Sequence, residues 1–271
     1  MGTYTELTVA GYPLITSKSA VIPEVMTMFR ESDRRVFVRH LSERNPLVWG
    51  THDGADEAET AIEYSCETPR VIDRLNVMGF TLARVREEFE EGRQYELKEC
   101  KSEDGSQWLA ERLEIMTKLS FDAYADGLAH VLRYGLRPEP FDDRNKPGLD
   151  LIVKYILDED YEHPFGYLGG DVRLLVRLAC GLVGAETRVV QDITGLVDAG
   201  YYGRDEPVCE SVIHNLTAGH TENAPRIILT EGSSDGAILK AALSILHIRI
   251  SPDITRPWIL IRRALPVGPP I

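Results

Sequence analysis

The sequence predicts an α+β fold: an N-terminal β-hairpin, a mostly helical region to about residue 224, and a partial α/β unit after it. Three observations carry this. Residues 4–15 alternate polar and apolar on either side of Ala10-Gly11, the period of half-buried strands joined by a tight turn. Apolar residues recur at helical spacing through most of the stretch from 68 to 216. Near the C-terminus, Ile227-Ile228-Leu229 has the length and β-branched character of a buried parallel strand, and a helical pattern of Ile238, Leu239, Ala242, Leu243 and Leu246 follows it.

Taken in order, Tyr4 to Val9 and Tyr12 to Ile15 are the hairpin strands. Pro23 stands at a first-turn position, and Val25, Met26, Phe29, Val36, Phe37 and Leu41 continue a helix that breaks near Ser32-Asp33 and ends by Pro46. Residues 51–63 read as an acidic, glycine-containing connector in which His52, Asp53 and Asp56 are more simply a solvated loop than a metal site. Thr68 and Pro69 open a long amphipathic helix to Gly92, with Gly79 in its middle as a cost or a kink. A polar loop over 98–106 leads to a second long helix from Trp108 to Leu132 that Gly135 is placed to end. His130 on that helix reads as a core or boundary histidine. Residues 137–150, with three prolines and mixed charge, are an interior linker. Helices follow over 151–157 and 172–183, with His163 in an acidic loop between them, and glycines 181, 184 and 195 favour a compact bundle. Pro207 starts a last helix through Leu216, and residues 218–225 link it to the C-terminal strand.

Composition narrows the function classes. With 271 residues the chain has room for about two domains and an ordinary core. A net charge of -13 opposes unscreened coating of nucleic acid or anionic lipid, which leaves a local basic patch or a bound cation as the route to such a partner. Cys66, Cys100, Cys180 and Cys209 lie far apart with no C-x-x-C pair, the pattern of free thiols in a reducing compartment. The N-terminus shows no signal-peptide pattern, and no apolar run is long enough to span a bilayer. A soluble cytoplasmic protein without a membrane partner is the expectation.

Two groups of residues point to chemistry. Glu231-Gly232 follows the C-terminal strand directly, Ser233 and Ser234 supply N-cap chemistry, and Asp235 suits the positive end of a helix dipole. Ligands of open α/β sheets collect at the carboxyl ends of strands, so Glu231 stands where a metal or phosphate is held. The bland alternative is an ordinary strand-to-helix turn with Glu231 exposed and Asp235 capping. The second group is Arg34 or Arg35 with His40: an imidazole titrates near neutrality and a guanidinium clamps phosphate. Its alternative is a solvated charged helix face.

The order apolar strand, Thr230, Glu231-Gly232, two small residues, Asp235 resembles the first motif of the TOPRIM domain of topoisomerases, primases and nucleases. The resemblance implies that Glu231 is a general acid or base or, with Asp235, a Mg²⁺ ligand. It also implies a second motif, Asp-x-Asp, because hard cations take several oxygen ligands. After Asp235 the sole acid is Asp253, in a proline- and arginine-rich tail, so a truncated domain with impaired Mg²⁺ cleavage is expected. Arg34 or Arg35 with His40 is similar to the R-x4-6-H pattern of HEPN ribonucleases, which implies metal-independent attack through the RNA 2′-hydroxyl. The opening residues 5–35, the helix over 70–89 and the stretch over 228–243 together resemble bacterial HEPN/TOPRIM N-terminal domain proteins. That resemblance implies a HEPN-like region over 1–224, a partial TOPRIM-like domain over 225–271, a defence or conflict-system role, and DNA or RNA as partner. A non-enzymatic dimerisation module, with a homodimer as its product, is the remaining alternative.

Overall fold

Ala10 and Gly11 both take positive φ, 52° and 79°, the two-residue turn whose twist matches the strands it joins. They connect β1 (Tyr4–Val9) to β2 (Tyr12–Lys18) as the expected antiparallel hairpin. The computed structural model describes residues 3–50, 57–102, 107–137, 148–158, 164–218 and 233–246. The chain divides into two compact units, 1–212 and 213–271, a boundary earlier than the one the sequence suggests at 224.

In the first unit β3 (Arg34–His40), β4 (Ala58–Glu67) and β5 (Arg188–Asp192) join the hairpin in a five-stranded sheet ordered β2-β1-β5-β4-β3. Every pairing is antiparallel. The late strand β5 sits at the centre and ties the hairpin to β3 and β4. One face of the sheet buries Leu7, Val9, Ile62, Tyr64, Cys66 and Val189, and α3 (Thr68–Val77) and α8 (Val172–Leu182) pack against its strands. Helix α8 also meets the short α1 (Pro23–Met26), α4 (Leu82–Ser102) and α6 (Phe121–Tyr134). All its residues from Leu174 to Cys180 are buried, Arg177 among them with its Nε donating to the Asn76 side-chain oxygen at 3.0 Å. Helix α4 lies along α5 (Gln107–Lys118), and α6 along α7 (Leu151–Leu157). Three further helices, α2 (Pro46–Trp49), α9 (Thr194–Asp198) and α10 (Val208–Thr217), complete the described α-helices that begin in this unit. Of the second unit, α11 (Ser233–Leu246) is the complete described element.

Several sequence expectations change. The helix expected from Pro23 to Leu41 is four residues of α1, a 3₁₀ turn over Glu31–Asp33, and then the strand β3. Val36, Phe37 and Val38 favour a pleated strand, and seven residues of pairing with β4 decide the matter over any helical spacing. The connector over 51–63 is, from Ala58 on, the strand β4. Its alternation was hidden because the face opposite Ile62, Tyr64 and Cys66 carries the acids Glu59 and Glu63, which read as part of a charged connector. The two long helices are each broken. Gly79, at φ 88°, ends α3 while the Phe80 N–H reaches back to the Leu75 carbonyl at 2.8 Å, a left-handed helix stop. Leu119 and Ser120 separate α5 from α6, with the Ser120 hydroxyl accepting from the Ala123 N–H at 3.1 Å. Gly92 does not end a helix. It lies inside α4, where an added Cβ would stand 2.1 Å from the Leu168 carbonyl oxygen, so glycine there permits a close helix-to-backbone approach. Gly135 ends α6 as expected, in the left-handed conformation with its N–H on the Val131 carbonyl.

Candidate functional site

The face of the sheet turned away from α3 and α8 carries a network of charge. Strand register puts Thr16, Glu6, Asp192, Glu63 and Arg35 in one row across all five strands. Adjacent strands stand about 4.8 Å apart, so three carboxyl groups are neighbours on consecutive strands. Arg39, four residues along β3 from Arg35 and on the same face as it and Phe37, reaches into this row. Its Nε meets Glu59 Oε1 and its Nη2 meets Asp192 Oδ2, both at 2.7 Å. Arg44 Nε donates to the same Glu59 oxygen at 2.8 Å, and Arg35 Nη1 stands 3.3 Å from Glu63 Oε1. Arg188 donates from Nε to the Ser65 hydroxyl at 2.7 Å and from Nη2 to the Ser65 carbonyl at 3.0 Å.

These surroundings separate three of the acids, Glu59, Glu63 and Glu6. Glu59, hydrogen-bonded by Arg44 and Arg39, is pulled down to about 2. Glu63 is pushed up by burial against the opposing pull of Arg35. Glu6 is pushed up to about 7, first by burial and then by the charge of Asp192 beside it; among the described residues no cation stands within ion-pair distance of it. Neighbouring carboxyl groups driven to different protonation states are the arrangement by which proteins run acid–base steps at neutral pH. Chemically, then, Glu6 can hold or release a proton near neutrality, while the Arg39 guanidinium reaches Asp192 beside it.

That difference gives a pH-dependent expectation. A carboxyl whose folded pKa is raised favours the folded state fully below its unfolded value near 4.5, and that contribution is lost as pH rises through about 7. Glu6→Gln should therefore gain stability relative to the parent between pH 5 and pH 8, on the order of 1–2 kcal/mol after allowing for solvent screening. Urea midpoints at the two pH values measure it. A difference between variant and parent that stays constant with pH refutes the assignment.

The residues singled out from sequence are distributed differently. Arg34, Arg35 and His40 lie on β3, not on a helix. Arg34 and His40 are six residues apart, about 20 Å in an extended strand. Arg35 projects to the opposite face from His40, where it meets Glu63 and stacks on Phe37 at 5.3 Å. His40 is exposed, and its backbone N–H donates to Glu43 Oε2 at 2.7 Å. Within one chain, one phosphate cannot be held by a guanidinium and an imidazole so placed, which corrects the pairing of Arg35 with His40 on a single helix. Glu231, with the strand at 227–229, lies outside the described residues. Asp235 is exposed in the first turn of α11. Its carboxylate oxygen is the hard donor Mg²⁺ requires, and a carboxylate at Glu231 is of the same kind. Among the described residues no group of three or more His, Cys, Asp or Glu side chains is disposed to hold a metal ion, and His52, Asp53, Asp56 and His163 lie outside them. His130 is exposed on α6 with its ring 4.5 Å from that of Tyr134. No described helix is long and apolar enough to cross a membrane.

Glu6, Arg39, Glu63 and Asp192 were not singled out by sequence reasoning. The alternation in Thr5-Glu6-Leu7-Thr8 places Glu6 on the polar face of a strand, yet nothing local says that two further acids from residues 63 and 192 stand beside it. A family model described as HEPN/Toprim N-terminal domain 1 matches residues 1–215. No curated protein and no solved structure matches the chain.

Proposed function

The chain belongs to the HEPN/Toprim N-terminal domain 1 family, and from that premise we propose that it is the N-terminal module of a TOPRIM-type nuclease working in a bacterial defence or conflict system. The observation that carries this reading is the extent of the family match, residues 1–215, which stops short of the Glu231-Gly232-x-x-Asp235 motif. The matched part is then the scaffold, and phosphodiester cleavage of DNA or RNA belongs to the motif that follows it. The separation of Arg34 and Arg35 from His40 within the chain supports placing the chemistry there rather than on a single β3.

In this reading Glu231 and Asp235 hold Mg²⁺. When bound, the cation supplies a Lewis acid that steadies charge on the attacking and leaving oxygens. Glu231 contributes a carboxylate as ligand or proton acceptor, and Asp235 another at the positive end of the α11 dipole. Two carboxylates with waters would seat one Mg²⁺, whereas a clamp of two cations on both the attacking and the leaving oxygen takes further carboxylates, so the isolated chain is a slow enzyme in this reading. Four buried free thiols, Cys66, Cys100, Cys180 and Cys209, suit the reducing cytoplasm in which we place the protein.

The test is cleavage of DNA and RNA by the purified chain with Mg²⁺ or with chelator. Slow Mg²⁺-dependent cutting should fall at least about 100-fold in Glu231→Gln, worth about 2.7 kcal/mol of transition-state stabilisation, and stay unchanged in His40→Ala. Cutting that survives chelator and is lost in His40→Ala would restore the ribonuclease reading. No cutting of any substrate under either condition would leave the chain a non-enzymatic interaction module.

A further inference from the structure

Strand β3 is an edge of the sheet, and among the described residues nothing pairs with the outer side of its middle. The Leu41 N–H donates to the Glu57 carbonyl at 2.9 Å, one step beyond the His40–Ala58 pair. Hydrogen-bonded and non-bonded pairs alternate along an antiparallel ladder, so Arg35, Phe37 and Arg39 spend their backbone groups on β4. Arg34, Val36, Val38 and His40 therefore turn theirs outward. At the two ends the outward N–H groups are satisfied locally, Arg34 by the Glu31 carbonyl and His40 by the Glu43 carboxylate. Between them Val36 and Val38 present N–H and C=O groups with no partner among the described residues. Their side chains are 51% and 72% exposed. Natural edges are ordinarily blunted by lysine, proline or a bulge. This one carries two bare valines.

We propose that this edge is the homodimer interface: β3 pairs antiparallel with β3 of a second copy across a two-fold axis at Phe37, joining two five-stranded sheets into one. The occupant follows from self-complementarity. Arg35-Val36-Phe37-Val38-Arg39 reads the same in either direction, as an isologous contact requires. With the axis at Phe37, Val36 stands opposite Val38 of the second copy as a hydrogen-bonded pair, and the open backbone groups of each strand meet those of the other. Four exposed valines come together on one face of the joined sheet, and the two Phe37 rings on the other. Charge agrees with this register. Arg34 of one copy lies opposite His40 of the other, beside the exposed Glu43 carboxylate that caps it. Arg35 lies opposite Arg39, but Arg35 is held by Glu63 and Arg39 by Glu59 and Asp192, so neither brings an uncompensated charge. The open window is only two residues wide, which puts the dimer at the weak, concentration-dependent end of specific association.

The proposal is independent of the nuclease reading, because its test involves no cleavage. Sedimentation of the full chain from low to high micromolar concentration should show a monomer–dimer equilibrium. Val38→Lys should weaken it at least about tenfold while leaving the circular-dichroism melt unchanged, since Val38 buries little in the monomer; Val36→Lys serves as the second variant if that melt shifts. Phe37 meets its own copy as a non-hydrogen-bonded pair with Cα atoms about 4.5 Å apart, within disulfide reach. Phe37→Cys should thus crosslink to itself on mild oxidation, with the native cysteines buried and silent. A monomer at every concentration, a dimer indifferent to lysine at both valines, or a dimer that Phe37→Cys does not crosslink overturns the assignment.

Discussion

Arg74→Ala should destabilise the protein by about 3–5 kcal/mol, the cost of leaving a buried charge without its partner. Arg74 projects from α3 into the space behind the sheet, where its side chain and that of Asp33 are only 7% and 6% exposed. Its Nη1 meets Asp33 Oδ2, and its Nη2 stands 3.4 Å from the other carboxylate oxygen. The same Nη1 donates to the Met28 carbonyl at 2.8 Å and approaches Cys66 Sγ at 3.5 Å, while Asp33 also accepts the Arg30 N–H at 2.9 Å. One guanidinium therefore fastens the turn that precedes β3 to both α3 and β4. Alanine strands the Asp33 carboxylate and the Met28 carbonyl together. The pair itself contributes far less than either half, so Arg74→Met combined with Asp33→Leu should recover most of the loss. Urea unfolding of the three proteins measures both claims. A single-variant cost below about 1 kcal/mol, or a double variant as unstable as Arg74→Ala, contradicts them.

Phe89→Ala is expected to cost a similar 3–5 kcal/mol through the cavity it leaves. Phe89 is fully buried on α4, with its ring centroid 4.8 Å from that of Tyr124, 5.6 Å from Phe121 and 6.0 Å from Tyr167. Such aromatic pairs add stabilisation beyond the area they bury. The neighbours cannot close the gap. Tyr124 is tied by its hydroxyl to the Phe165 carbonyl at 3.1 Å, and Tyr167 to the Val85 carbonyl at 3.2 Å. Since the cost of a cavity grows with what fails to collapse into it, the upper part of the range applies. Phe89→Leu, which retains much of the volume, should lose about 1–2 kcal/mol. Calorimetry on both variants decides, and an alanine variant no less stable than the leucine one would show that the cluster relaxes.

How much of this was legible depends on where each element finds its partner. Pro23 at a first turn, Ala10-Gly11 between alternating strands and Gly135 after the α6 pattern act on their own neighbours, so local chemistry in the chain determined them. The α+β class follows from the same kind of signal, as does the absence of any paired-cysteine scaffold. The edge strand β3 and the acidic strand β4 were not legible, because an edge strand lacks a second ladder to enforce a buried face and Glu59 and Glu63 disguise alternation as a charged connector. Only the tertiary structure could set β5 between β1 and β4, a pairing that brings residue 192 beside residues 6 and 63. With that pairing came the Glu6–Asp192–Glu63 row and the reach of Arg39 across it, while the β3–β4 ladder separated Arg34 from His40 along one strand. The physical reason is range: a cap, a turn or a helical stripe is settled within a few residues, whereas a site built by strand register is settled by which distant segment completes the ladder.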